Sequence, residues 1–194
     1  MIAFFIVSPF VVALPAAWLA TRFPGAARFL AAWPAILTVV LSAELRSTLD
    51  AGARLIELPW APSLGLSLSF NLDGLGLLFA LLITAIGTLV VLYASLYMEG
   101  HPQAARFYAS LFAFMGAMLG VVVSGNLVQL VVFWELTSVF SFLLIGYWTH
   151  RKDARRGARM AFTVTATGGL ALLAGVLILG HIVGSSRRRC LFRR

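Results

Sequence analysis

The chain has 194 residues, 61% of them hydrophobic and only 11% charged, with a net charge of +8 and a mean hydropathy of +0.96. A soluble domain carries about 25% charged residues, so this composition describes a polytopic membrane protein and excludes the water-soluble enzyme classes. On a soluble protein the basic excess would suggest nucleic acid. Here the basic residues cluster at segment ends, which ties them to membrane topology and anionic lipid, and no nucleic-acid partner is expected.

The N-terminal stretch "MIAFFIVSPFVVALPAAWLATRF" has no basic n-region and reads as a first spanning helix, not a cleaved signal peptide. A spanning helix needs about 20 mostly apolar residues. Segments 2–21, 27–44, 75–97, 107–124, 127–148 and 158–182 qualify. Pro9, Pro15 and Pro34 fall inside the first two and are tolerable where neighbours satisfy the freed carbonyls. The longest polar gap, 45–74, contains "ARLIELPW" and "LGLSLSFNLDG", which alternate apolar and polar residues around the turn signal "APS". The expected fold is an all-α integral membrane protein, a bundle of six transmembrane helices with a short β-hairpin in the second loop. Asp73 stands just before "GLGLLFALL", where it caps the third helix.

Loop charges set the expected orientation. Odd-numbered loops hold eight basic residues: Arg22, Arg28, Arg106, Arg151, Lys152, Arg155, Arg156 and Arg159. Even-numbered loops hold only Arg46 and Arg54. The positive-inside rule puts the odd loops in the cytoplasm, with the N-terminus and the hairpin outside. The tail "SSRRRCLFRR" would then lie outside with 5 arginines, against that rule. Its Cys190 is the only cysteine, which excludes an internal disulfide, and no pair of residues has metal-ligand spacing.

Small residues recur every fourth position in three segments: Gly76, Ala80, Thr84 and Thr88; Gly116, Gly120 and Ser124; Thr163, Thr167, Ala171 and Gly175. Such stripes let helices approach closely. Packing inside the bundle is expected; the alternative is an interface to a neighbouring subunit.

The chemistry concentrates in "LVQLVVFWELTSVFSFLLIGYW", residues 127–148, where one carboxylate, Glu135, stands in an apolar run. It lies eight residues in, roughly 12 Å along the helix at 1.5 Å per residue, close to mid-membrane. A charge there costs about 2.5–3.5 kcal/mol even on the gentler insertion scale, so the acid faces the bundle interior. It is either protonated or paired with a cation, and both states suit a proton carrier. A neutral acid that only hydrogen-bonds a neighbouring helix is the structural alternative. The basic residues stand at segment ends and none in mid-span, so a counter-charge would come from a partner. Ser138 and Phe142 flank Glu135 on one helical face, and Ser138 suits a water beside the carboxylate. His181, near the end of the last segment, is a weaker titrating candidate. "NLDGLG" lacks the glycine spacing and lysine of a phosphate loop. Gly168 and Gly169 signal close packing or a kink, and several of Trp18, Trp33, Trp60, Trp134 and Trp148 suit interfacial anchoring. No haem, metal, nucleotide or hydrolase constellation is present; the residues describe a proton- or cation-handling bundle, not an enzyme.

Three stretches together resemble a known family: "SFNLDGLGLLFALLITAIGTLVVLYASLYM", "SGNLVQLVVFWELTSVFSFLLIGYW" and "ARRGARMAFTVTATGGLALLAGVLIL". They look like the N-terminal part of the A subunit of Mrp-type multisubunit sodium/proton antiporters, which is similar to the antiporter-like proton-pumping subunits of respiratory complex I. "FWELTS" and "LDGLG" are its specific motifs, and the resemblance covers residues 1–184. It implies an N-terminal part of an antiporter-like transmembrane domain over 1–183, in a cell (inner) membrane. It implies that the "FWELTS" glutamate, Glu135, is essential for translocating protons against monovalent cations such as Na+. In the family that glutamate works with a lysine on a following, broken helix. The resemblance also implies no redox cofactor and no metal in this subunit, and other membrane subunits as partners. The tail 184–194 departs from the family pattern, and the segment carrying the lysine is absent. The expectation is therefore a truncated or frameshifted fragment. The alternatives are a non-transporting scaffold and a membrane subunit of complex I.

Overall fold

The computed structural model of the protein describes residues 2–51, 54–61 and 66–183. Helix α1 (Ile2–Arg22) carries Pro9 and Pro15. A 3-10 segment, Pro24–Ala31, leads into α2 (Ala32–Ala51). Strands β1 (Arg54–Ala61) and β2 (Leu66–Leu72) pair antiparallel, Ile56 opposite Phe70, with an irregularity between Pro59 and Ala61. Helices α3 (Gly74–Tyr97), α4 (Ala104–Val122), α5 (Leu127–Ile145) and α6 (Lys152–Val183) follow. The residues joining the strands, 62–65, and the tail 184–194 lie outside the described residues. Among the described residues five helices are long and apolar enough to cross a membrane, and the apolar run of α1, Phe4–Ala20, is shorter. The protein is a multi-pass membrane protein built mainly of helices.

Helix α4 is the centre of the bundle, packed against α1, α5 and α3. Its small residues make this possible. A Cβ on Gly116 would come within 2.7 Å of the Phe10 ring of α1, and a Cβ on Gly120 would collide with the Phe133 ring of α5. The two glycines are sockets for two phenyl rings, while Tyr108, Phe112 and Leu119 are fully buried on the same helix. The α3 stripe also faces inward: Gly76, Ala80 and Thr84 are buried. Thr84 and Thr88 donate to carbonyls four residues back, at 3.0 and 2.8 Å, so their hydroxyls need no partner helix. The α6 stripe departs from the expected internal packing. Thr163, Thr167, Ala171 and Gly175 are exposed, and a Cβ on Gly175 would meet nothing. Only α5 packs extensively on α6, and this stripe lies away from it.

Caps fix where the helices start. Asp73 caps α3 as expected, its carboxylate accepting from the Gly76 N–H at 2.6 Å. Asn126 caps α5 by accepting from the Val128 N–H at 2.8 Å. Several boundaries differ from expectation: α4, expected over 107–124, spans Ala104–Val122, and α2, expected from 27, starts at Ala32 after the 3-10 segment. Residues 45–51, expected in the second loop, continue α2, because "AELRSTLD" holds good helix formers and no breaker before Gly52. Helix α6 starts at Lys152, so Arg155, Arg156 and Arg159 are helical. Asp153 in its first turn complements the helix dipole. Helix α5 stops at Ile145 with Gly146 as its cap, leaving Tyr147 and Trp148 outside it.

Strand β2 is stitched to the α4–α5 connection. Asn71 N–H donates to the Val123 carbonyl and Gly125 N–H to the Ser69 carbonyl, each at 2.8 Å. The Ser69 N–H is taken by Oε1 of Gln129, buried in the first turn of α5, at 2.8 Å. The strand pair thus sits over one end of α4 and α5.

Candidate functional site at the α5–α6 seam

Glu135 lies in the middle of α5 and is half-buried. Its side chain turns toward α6, where the carboxyl presses on Gly169. A Cβ added at Gly169 would overlap Oε1 and lie 2.7 Å from Cδ. Gly169 is itself buried on an otherwise largely exposed helix. The Gly168-Gly169 close-packing signal thus has its partner: the second glycine makes room for the acid, while a Cβ at Gly168 would meet nothing.

Oε1 of Glu135 is buried with no hydrogen-bond partner among the described residues. Ser138 is buried, but its hydroxyl donates back to the Trp134 carbonyl at 3.4 Å, where Thr137 also donates at 2.6 Å. That oxygen of Ser138 retains acceptor capacity and offers Glu135 no donated proton while so engaged. Phe142 shares the Glu135 face but contacts Phe162 of α6, ring centroids 5.4 Å apart. One turn further, a Cβ on Gly146 would sit 3.4 Å from the Cβ of Ala158. Glu135–Gly169, Phe142–Phe162 and Gly146–Ala158 are therefore three rungs of one antiparallel seam.

The other candidates lie elsewhere. His181 is exposed in the last turn of α6, twelve residues or roughly 18 Å along the helix from Gly169. Arg159, on the other side, is ten residues or roughly 15 Å away on the same measure. No cation reaches Glu135 among the described residues, and no metal-binding group of His, Cys, Asp or Glu occurs there. Gln129 is the polar residue of α5 that sequence reasoning passed over. A glutamine inside an apolar span was the available signal, since such a group seeks a partner.

Two family models match the chain: "NADH-Ubiquinone oxidoreductase (complex I), chain 5 N-terminus" over residues 60–108, and "NADH:quinone oxidoreductase/Mrp antiporter, TM" over residues 124–193. The A/B subunit of a probable K(+)/H(+) antiporter of Rhizobium meliloti is 48% identical over 186 residues, 95% of this chain and 19% of that protein. The A subunit of the Na(+)/H(+) antiporter of Alkalihalophilus pseudofirmus is 46% identical over 158 residues, 81% of this chain and 20% of its own. The chain thus spans about a fifth of the length of these relatives. Among solved structures, the Mrp complex from Dietzia sp. matches with a TM-score of 0.76 and 28% identity over 95% of this chain and 20% of the matched one. An archaeal membrane-bound sulfane sulfur reductase shares the fold, with a TM-score of 0.73 at 21% identity over 93% of this chain and 28% of its own. The family expected from "FWELTS" and "LDGLG" is the one these matches show: the chain corresponds to the N-terminal region of the A subunit of the Mrp-type antiporters, related to complex I.

Proposed function

We propose that this chain is a membrane subunit, or the N-terminal part of one, of a multisubunit monovalent cation/proton antiporter, with Glu135 as a proton-carrying group. The observation that carries the proposal is the mid-span carboxyl whose Oε1 is buried without a hydrogen-bond partner against Gly169. An intramembrane acid is a functional group by default. An ionised carboxylate only accepts hydrogen bonds, whereas a protonated one supplies its own donor. The seam leaves Oε1 without a fixed donor, which supports a group that exchanges a proton with partners brought from outside it. The relatives named as Na(+)/H(+) and K(+)/H(+) antiporter subunits support the exchanged ions. Six membrane crossings, α1 included, belong to this proposal, as do the outward N-terminus and strand pair, a cell-membrane location and partner membrane subunits. So does the division into an antiporter-like domain, 1–183, and a basic tail, 184–194.

Glu135→Gln in the complete antiporter complex tests the role of the acid. Everted vesicles should lose sodium-driven proton exchange by tenfold or more while the complex assembles normally. Unchanged exchange with normal assembly would refute proton carriage and support a scaffold. The complex I family match supports a second, redox-linked reading. Co-purification of quinone-reducing activity without sodium dependence would favour it.

A further inference from the structure

At the opposite end of the α5–α6 seam from Gly169, beyond Phe142, a cavity of about 420 Å³ opens between α4, α5 and α6. Arg106 of α4 and Arg155 and Arg159 of α6 line it, with Phe142, Gly146 and Ala158. Among the described residues no carboxylate lines it. Arg155 and Arg159 are one helical turn apart, a spacing that repels like charges. Arg159 Nε is turned to the Arg155 carbonyl at 3.4 Å, which leaves its terminal nitrogens uncommitted. The charge of Arg106 also reaches the buried hydroxyl of Tyr147, just beyond the α5 cap.

Three features of this cavity point to one ligand chemistry. Its cations are all arginines, whose planar fork matches phosphate oxygens two at a time. Phe142 and Ala158 give it an apolar side, so it suits an amphiphile better than a small hydrated anion. Its residues straddle Ile145, where the apolar span of α5 ends, at the depth of lipid headgroups. Basic pockets between transmembrane helices take anionic headgroups. We propose that this cavity binds the phosphate of an anionic phospholipid between Arg106, Arg155 and Arg159. The site is independent of proton carriage by Glu135.

The test is native mass spectrometry of the full chain with phosphatidylglycerol or phosphatidylcholine at equal concentrations, and with inorganic phosphate as a third probe. One phosphatidylglycerol should be retained at least tenfold more tightly than phosphatidylcholine. A basic residue near an anionic surface contributes about fivefold in affinity, so Arg106→Gln/Arg159→Gln should weaken retention by about 25-fold. Arg151→Gln/Arg156→Gln removes the same charge outside the cavity and should weaken it markedly less. Helix content by circular dichroism checks that each variant folds. Where the double variant does not, Arg106→Lys, which keeps the charge and loses the fork, should still show a severalfold loss. Equal retention of the two lipids, or equal losses in the two double variants, would overturn the proposal. So would tight binding of inorganic phosphate without preferential binding of phosphatidylglycerol. Unchanged affinity in Arg106→Lys, in the case where it is the variant read, would do the same.

Discussion

The contact between Glu135 and Gly169 makes a quantitative prediction for Gly169→Ala. The added Cβ would overlap Oε1 and stand 2.7 Å from Cδ, but 3.5 Å from the Trp134 ring, which is ordinary contact. The carboxyl must therefore move while its neighbours stay. Forcing a side chain off its rotamer costs about 0.5–1.5 kcal/mol, and overpacking a close helix contact about 1–3 kcal/mol. Replacing glycine by alanine in a helix returns about 1 kcal/mol. Net destabilisation is then about 0.5–3.5 kcal/mol, so assembly of the variant complex is read alongside its exchange. On the proposed proton-carrying role exchange should also fall, because a displacement of about 1 Å in a reacting group costs on the order of a hundredfold. The assay pairs thermal unfolding in detergent with sodium-driven proton exchange in vesicles carrying the whole complex. Gly168→Ala is the internal control: its Cβ meets nothing, so it should match or slightly exceed the parent in stability and leave exchange intact. Normal exchange in Gly169→Ala, or equal losses in both variants, would refute the idea that this glycine places the acid.

Gly120→Ala should destabilise the bundle by about 1–3 kcal/mol, because its Cβ would strike the Phe133 ring, whereas Gly175→Ala, whose Cβ meets nothing, should stabilise by up to about 1 kcal/mol; thermal melts compare the two. Gln129→Ala leaves the Ser69 N–H without its acceptor. A buried unpaired donor costs about 1–3 kcal/mol, which should appear as faster amide exchange confined to β2 and the start of α5. Tyr147 has a buried hydroxyl without a partner among the described residues, and burial raises its pKa while Arg106 opposes the rise. The folded pKa thus exceeds the unfolded value near 10, so this contribution is complete below about pH 10 and is lost as pH rises above it. Tyr147→Phe should reduce the alkaline loss of stability and change neutral stability by less than about 1 kcal/mol, as read from melts between about pH 8 and 11.

Much of the bundle was legible because hydropathy and caps are local properties. The starts of α3 and α5 follow from Asp73 and from the apolar runs behind the caps. The end of α2 and the start of α6 differ from expectation for one reason: charged residues also continue helices. "AELRSTLD" and "KDARRGAR" are polar, but alanine, leucine, lysine and arginine are strong helix formers, so α2 and α6 run past the membrane-like stretch. The exposed α6 stripe differs from expectation for another reason. Periodicity shows that small residues share a face, and carries no information on which neighbour that face meets. The same limit applied to the site. Glu135 and the paired glycines were both visible, but that the second glycine touches the acid is a fact of tertiary register.

That register is unusually regular. From Glu135 to Phe142 to Gly146 the steps along α5 are seven and four residues. Their counterparts on α6, Gly169, Phe162 and Ala158, step back by the same seven and four. Matched steps of that kind define one straight antiparallel seam with side chains meeting in layers. Two of the three layers are apolar, and the aromatic one contributes about 0.5–1.5 kcal/mol beyond its buried area. They hold α6 where it is, so a strained carboxyl at the third layer relaxes by moving itself and not the helix. The third layer is also the one in which the opposing residue has no side chain. Gly169 can donate nothing from its side, and Ser138 gives its proton to a backbone carbonyl. Among the described residues, Oε1 of Glu135 therefore finds no donor in this pair of helices. The seam fixes where the acid sits and gives Oε1 no donor of its own.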